Sequence, residues 1–360
     1  MENKLDYSIK ILKNSSVFID YELEWKNFER KLGVTEIFNT YDFIKIAWNS
    51  KKNNSDLSLF VVFLYFQNEL KAVFPWLIRQ KNKMFIKYKR IEFICQEYLA
   101  DFCDIISEKI SKEEYDYVLS YINKKEKYDI IFLQQISTET NLLSLLISST
   151  YMYNKLYEFE ISNSTNYIEY SKSYSASHKQ NLRTCKNKII NDGLKIDFIV
   201  KQYEEEDLRH IVEMSNSKLV DNKDNIYLNP IKRQMILNLV KQFSGKIIYV
   251  CLNDKKVAYR LNIIYKNKKY CLDASFDRNY KQYSVGILSL ECSLKDSYES
   301  KYSDQSEGWG DDLYKRQFST GRQYLYQTVI KGNTLFSSYF YHKALTSMKL
   351  VQDTLKENKS

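Results

Sequence analysis

The stretch Tyr270-Cys-Leu-Asp273-Ala-Ser-Phe276-Asp-Arg278-Asn-Tyr-Lys281-Gln-Tyr-Ser284-Val-Gly286-Ile-Leu-Ser-Leu290 decides the fold. Tyr270 to Phe276 alternates well enough for a strand. Asp277 to Tyr283 is a polar connection. From Gly286 onward, Ile287, Leu290, Leu294 and Tyr298 recur at helical spacing and fall on one stripe. A strand, a turn with glycine and then a helix aim backbone N–H groups at one spot, where an anion is stabilised.

Upstream, residues 246–252 and 256–265 flank an Asn253-Asp254 turn, a β-hairpin signal. A second hairpin is predicted at 57–66 and 70–78, around Gln67-Asn-Glu. The two read alike: Phe63-Leu-Tyr-Phe-Gln-Asn-Glu-Leu-Lys-Ala-Val beside Tyr249-Val-Cys-Leu-Asn-Asp-Lys-Lys-Val-Ala, each preceded by a helix. They predict a duplicated α/β unit with halves at 1–160 and 161–360. In the first half, helices are expected over 22–31, 41–50, 114–124 and 138–146, and strands over 85–95, 129–134 and 151–161. Pro75 is expected near a strand end or at an edge, because proline has no N–H for a ladder. In the second half, 174–191 reads as a basic helix ended by Gly193. Residues 194–200 read as a strand, and Glu204-Glu-Glu-Asp207 as an acidic helix start. Asn229-Pro230 starts a further helix, ended by Gly245.

A chain of 360 residues holds one large or two ordinary domains, and its 44% apolar content is ample for a core. With two prolines and eight glycines, no Pro- or Gly-rich linker is present. Met1-Glu-Asn-Lys-Leu-Asp-Tyr-Ser has no basic segment followed by an apolar run, and no stretch reaches the ~20 apolar residues of a membrane span. A cytoplasmic, soluble protein is expected. The six cysteines form no Cys-x-x-Cys pair and there are three histidines, so reduced thiols are expected and no metal site. The net charge of +9 suits a polyanionic ligand, or is simply a solvated lysine surface. Phosphate-loop, dinucleotide and nucleophile-elbow motifs are missing.

Four segments, in order, resemble the GNAT-superfamily acyltransferases of the CelD-like type associated with cellulose biosynthesis, and more distantly the Fem aminoacyl transferases. They are Ser177-His-Lys-Gln-Asn-Leu-Arg183 running to Gly193, Lys256-Val-Ala-Tyr-Arg260, Tyr283-Ser284-Val285-Gly286, and Gly310-Asp311-Asp312-Leu-Tyr314-Lys315. Val285 stands where the family usually has proline. Trp25, Trp48, Ala72-Val-Phe-Pro75 and Tyr98-Leu-Ala-Asp101-Phe-Cys-Asp104 fit the family's first half more loosely. The resemblance implies an α/β fold of two tandem GNAT-like units, each a mixed, mostly antiparallel sheet flanked by helices. The first, at 1–160, would be degenerate, and the second, at 161–360, would carry the activity.

It further implies acyl transfer from acetyl-CoA or another acyl-CoA, or from acyl carrier protein, to a small-molecule amine. The acceptor could be an amino sugar in polysaccharide or cell-envelope synthesis. Ser284, Val285 and Gly286 would then offer N–H groups to the donor, and Lys281, Arg183 and Arg260 would supply charge; Gly286 making only the turn, and Lys281 and Arg183 being simply solvated cations, are the competing readings. Asp273 would accept or orient the amine proton, with Asp277 as its substitute; a structural capping role is the alternative. Tyr314 would protonate the thiolate and Lys315 would neutralise developing charge, or the first packs and the second pairs with Asp311 or Asp312. Arg260, on an apolar strand, needs a partner, and Asp273 is the expected one. Two other functions stay open. One is a Fem-like transfer from aminoacyl-tRNA, the only setting in which nucleic acid is expected. The other is a catalytically silent binding module.

Overall fold

The computed structural model describes residues 6–83, 86–96, 99–146, 150–161, 166–217, 225–310 and 312–357. The chain divides into two compact units, Met1–Lys155 with Gln323–Ser360, and Leu156–Arg322. This differs from a division at 160/161, because the last segment returns to the first unit.

The first unit opens with β1 (Tyr7–Leu12), α1 (Ser15–Asp20), α2 (Glu22–Leu32), α3 (Tyr41–Lys51), β2 (Leu57–Phe66), β3 (Glu69–Lys83) and β4 (Ile86–Phe93). It continues through β5 (Ile106–Ser107), α4 (Lys112–Lys125), β6 (Ile130–Ser137) and α5 (Asn141–Leu145). β7 (Thr150–Glu160) leads into the second unit, with α6 (Tyr167–Lys172), α7 (Ala176–Asn191), β8 (Ile196–Gln202), α8 (Asp207–Ser215) and α9 (Pro230–Gln242). There follow β9 (Gly245–Leu252), β10 (Lys255–Tyr265), β11 (Lys268–Phe276), α10 (Val285–Glu299), β12 (Asp304–Trp309) and α11 (Leu313–Phe318). β13 (Gly321–Lys331) and α12 (Ser337–Glu357) go back to the first unit.

Each unit is a mixed, mostly antiparallel sheet flanked by helices. The first is ordered β1-β2-β3-β4-β6-β13, with β4–β6 parallel and β5 on β3. The second is ordered β8-β9-β10-β11-β12-β7, with β11–β12 parallel. The strand order and the position of the one parallel pair are the same in both, so the predicted duplication is seen in the sheet topology. One exchange was not foreseen. β7 follows β6 in sequence but pairs with β12, whereas β13 follows β12 but pairs with β6.

Local chemistry explains the elements. α2 buries Trp25 and Phe28 and ends at Gly33, whose φ of 64° suits a residue without a side chain. The Thr40 hydroxyl caps α3 by accepting from Phe43 N at 3.2 Å. Trp25 meets Phe18, Tyr41 and Phe63 edge-on. Pro75 lies inside β3, not at its end. Pairing to β5 stops at Val73 and pairing to β4 starts at Trp76, so the missing N–H falls in a gap of that ladder. Gly245 opens β9 rather than ending α9; an added Cβ would lie 2.6 Å from Val240 Cβ. In the second unit, Leu288 and Leu294 of α10 join Leu182 and Ile189 of α7 and Val250 of β9 in one core. No helix among the described residues is long and apolar enough to cross a membrane.

Asp104 is buried beneath the first unit's loop, where it accepts from Ile105 N at 2.8 Å, and desolvation pushes its pKa up to about 7. Its folded pKa is raised. The stability it contributes is therefore complete below its ordinary value near 3.8 and is lost as pH rises through about 7. Asp104→Asn should flatten the fall in unfolding free energy between pH 5 and 8, by up to about 3 kcal/mol. Urea melts at the two pH values check this.

Candidate active site

β11 and β12 are paired only over Lys268–Tyr270 and Asp304–Ser306. Beyond that, β11 stays with β10, and β12 follows β7 through an irregularity between Ser306 and Trp309. The parallel pair therefore opens towards the C-terminal end of β11, where the chain turns into α10. A cavity of about 400 Å³ lies there. Its lining includes Lys281, Ser284, Val285, Gly286, Arg260 and Tyr314, so the structure brings together six of the expected site residues.

The turn works differently from expectation. Ser284, not Gly286, takes the left-handed conformation, with φ 52°. Its N–H donates to Lys281 O at 3.0 Å, and its carbonyl accepts from Ile287 and Leu288 N at 2.9 and 3.2 Å. Ser284 is thus no N–H donor to a ligand. Val285 and Gly286 lie in the first turn of a 15-residue helix, the end that favours negative charge, and among the described residues no acceptor for their N–H groups is seen. Proline at 285 would remove one of these donors, so the departure from the family pattern adds an N–H donor. Val285 also fills the core. Gly286 serves close approach: an added Cβ would lie 3.2 Å from the Phe276 ring, itself a cavity wall. If Gly286 has the donor-binding role that the resemblance implies, Gly286→Ala should push that ring into the cavity and raise the Kd for acetyl-CoA about five- to tenfold, a cost of about 1 kcal/mol. Calorimetry against an unchanged Tm checks it.

Arg260 is 3% exposed on β10. Its expected partner was Asp273, but the guanidinium pairs with the carboxylate of Glu307 on β12 and reaches Cys271 Sγ at 3.4 Å. Glu307 is held in turn by Gln305, which accepts from Ser297 Oγ at 2.6 Å. Arg260 Nε is buried without an acceptor. A buried donor without a partner costs about 1–3 kcal/mol, and here it belongs to a residue of the cavity wall. Among the described residues the Tyr314 hydroxyl has no hydrogen-bond partner. Burial pushes its pKa up to about 12, against the opposing pull of Arg260.

The other expected residues stand apart from the cavity wall. Asp273 accepts from the Tyr259 hydroxyl, which is 2.5 Å from Ser215 Oγ. Burial and then the Asp273 charge hold Tyr259 well above the usual phenol range. The neighbouring Ala274 and Ser275 do line the cavity. Asp277 is the cap of the connecting turn, accepting from Asn279 N and Lys255 Nζ, each at 3.0 Å. The buried Lys315 ammonium donates to Gly308 O at 2.9 Å and Trp309 O at 3.1 Å, with Asp312 at 3.5 Å. It holds the glycine turn together and does not face the cavity. Arg183 is exposed on α7 and does not line the cavity, and its neighbour Lys186 pairs with Glu291 at 2.8 Å. Asp311 and Tyr98 lie outside the described residues. Glu307 and Ser275 were missed. The only signal for Glu307 was that buried Arg260 needs a carboxylate.

Residues 176–316 match the family model described as an acetyltransferase (GNAT) domain. No curated protein matches the chain. Among solved structures, FemX is similar over 90% of this chain and 98% of its own, at 11% identity and TM-score 0.60. A conserved protein of unknown function from Bacteroides thetaiotaomicron covers 90% and 100%, at 10% identity and TM-score 0.53. The C-terminal domain assigned to a lysylphosphatidylglycerol synthetase from Agrobacterium fabrum covers 94% and 96%, at 12% identity and TM-score 0.50. These likenesses show a shared fold. The match at residues 176–316 places a GNAT acetyltransferase domain in the second unit, and with it an acyltransferase activity.

Proposed function

We propose that the protein moves an acyl group from acyl-CoA, or from acyl carrier protein, to a primary amine, and that the cavity at the start of α10 holds the donor. The observation that carries this is that Val285 and Gly286 at the helix start, Arg260 with its buried, acceptor-free Nε, and Tyr314 all line one cavity. The helix start and Lys281 receive the donor's phosphates. Arg260 Nε–H donates to the thioester oxygen as it becomes an oxyanion. The amine nitrogen forms the new C–N bond and the C–S bond breaks. The amine's proton leaves to solvent, and Tyr314 donates to the leaving sulfur. An amino sugar of polysaccharide or cell-envelope synthesis is the acceptor we favour, in line with the CelD-like resemblance.

A second reading has one observation of its own, the fold shared with FemX along nearly the whole chain. In it the donor is an aminoacyl-tRNA, as the Fem resemblance implies. Thiol release from acetyl-CoA with a panel of hexosamines, run beside transfer from aminoacyl-tRNA, separates the two. Amine-dependent thiol release supports the first reading. Transfer from tRNA alone supports the second, and neither supports a silent module.

A further inference from the structure

The first unit contains a cavity of its own, of about 590 Å³, within the size range of small-molecule sites. β4 and β6 form one wall with Arg90, Phe132 and Gln134, and α12 forms the other with Phe340, Lys343 and Met348. It shares no residue with the cavity at the start of α10.

Its floor is a chain of glutamines. Gln96 and Gln134 exchange two bonds, Gln134 N to Gln96 Oε1 at 3.0 Å and Gln96 Nε2 to Gln134 Oε1 at 3.2 Å. Gln134 Nε2 then donates to Gln327 Oε1 at 3.1 Å. This orients each amide, since turning Gln327 over would set two NH2 groups against each other. The last donor, Gln327 Nε2, is buried with no acceptor, on a residue 2% exposed that lines the cavity. A hydrogen-bond acceptor of a ligand fits there.

The charge of the lining selects further. It contains the cations Arg90 and Lys343 and no carboxylate; Glu92, paired with Arg90, is not part of it. Arg90 lies over the Phe132 ring at 4.9 Å. The remaining wall is aromatic and aliphatic, with Tyr88 and Phe340 stacked at 4.1 Å and Met348 buried.

We infer that this cavity beneath α12 is a second ligand site, which takes an amphipathic carboxylic acid: the carboxylate accepts from Gln327 Nε2 beside the two cations, and an apolar tail lies against Phe132, Phe340 and Met348. The site stands independently of the acyl-donor assignment.

Calorimetric titration of the whole protein with sodium dodecanoate below its micelle concentration tests it, with dodecyltrimethylammonium as a cation of equal chain length. One dodecanoate per chain is expected, with the cation about tenfold weaker or more. Gln327→Glu keeps the acceptor for Gln134 and sets a carboxylate against the head group. It should weaken dodecanoate about tenfold, the loss of one charge-assisted hydrogen bond. Ala344→Trp should block the cavity, and Ser347→Trp fills it from the exposed rim should the first variant fold poorly. No saturable binding, equal binding of both amphiphiles, or dodecanoate affinity unchanged in both the Glu and Trp variants overturns the proposal.

Discussion

Tyr314→Phe should lower turnover about 100-fold, the lower end of what a positioned proton donor contributes, while leaving stability within about 0.5 kcal/mol. Among the described residues the hydroxyl has no hydrogen-bond partner for its removal to orphan, and the ring keeps its packing against the second unit's core. Burial places the phenol near pKa 12, above a thiol's ordinary value of about 8.5. Complete proton transfer to the thiolate is uphill, so the hydroxyl acts by donating as charge develops on sulfur. Its folded pKa is raised, and it stays protonated at all pH values below about 12. The pH–rate profile should therefore show no Tyr314 step between pH 6 and 10. A matched loss of turnover and stability in the phenylalanine variant would remove Tyr314 from the chemistry. Steady-state kinetics and urea melts on one preparation decide it.

Glu307→Ala should destabilise the protein by about 3–5 kcal/mol, because it leaves a buried guanidinium without its counter-charge. Both side chains of the pair are almost wholly inaccessible, at 3% and 0%. Replacing both, as Arg260→Met with Glu307→Leu, should recover most of that loss, since packed apolar groups often substitute for a buried pair. The double variant then isolates the function of Arg260. If its Nε holds the thioester oxygen, the refolded double variant loses turnover about 100-fold or more, as when one oxyanion donor is removed. Full activity in a stable double variant would make the pair purely structural.

The hairpins were legible because their turns are written in residues that tolerate positive φ. Gln67 and Asn68 take φ 50° and 64°, and Asn253 and Asp254 take 47° and 64°. The strands around them start and end close to where the alternation does. β12, β13 and α12 were not legible. β12 is Asp304-Gln-Ser-Glu-Gly-Trp, polar on its buried positions because Gln305 and Glu307 answer Ser297 and Arg260, residues distant in sequence. The helix start at residues 284–286 could be read, but the division of labour within it could not. Ser284 assumes the left-handed turn and frees Gly286 to lie against Phe276. The partner of Arg260 was misassigned for a similar reason. Asp273 is across from Leu261, the register shifts next to it, and its carboxylate is taken by Tyr259. Lys315 looked catalytic because its motif places it beside Tyr314. In the folded chain two backbone carbonyls take its ammonium.

Amide hydrogen exchange with and without CoA tests the central claim most directly. The acyl-donor assignment predicts slowed exchange at Val285 and Gly286, in the first turn of α10, and reduced protection in Gly286→Ala. CoA binding that leaves both amides exchanging at their free rate would contradict it.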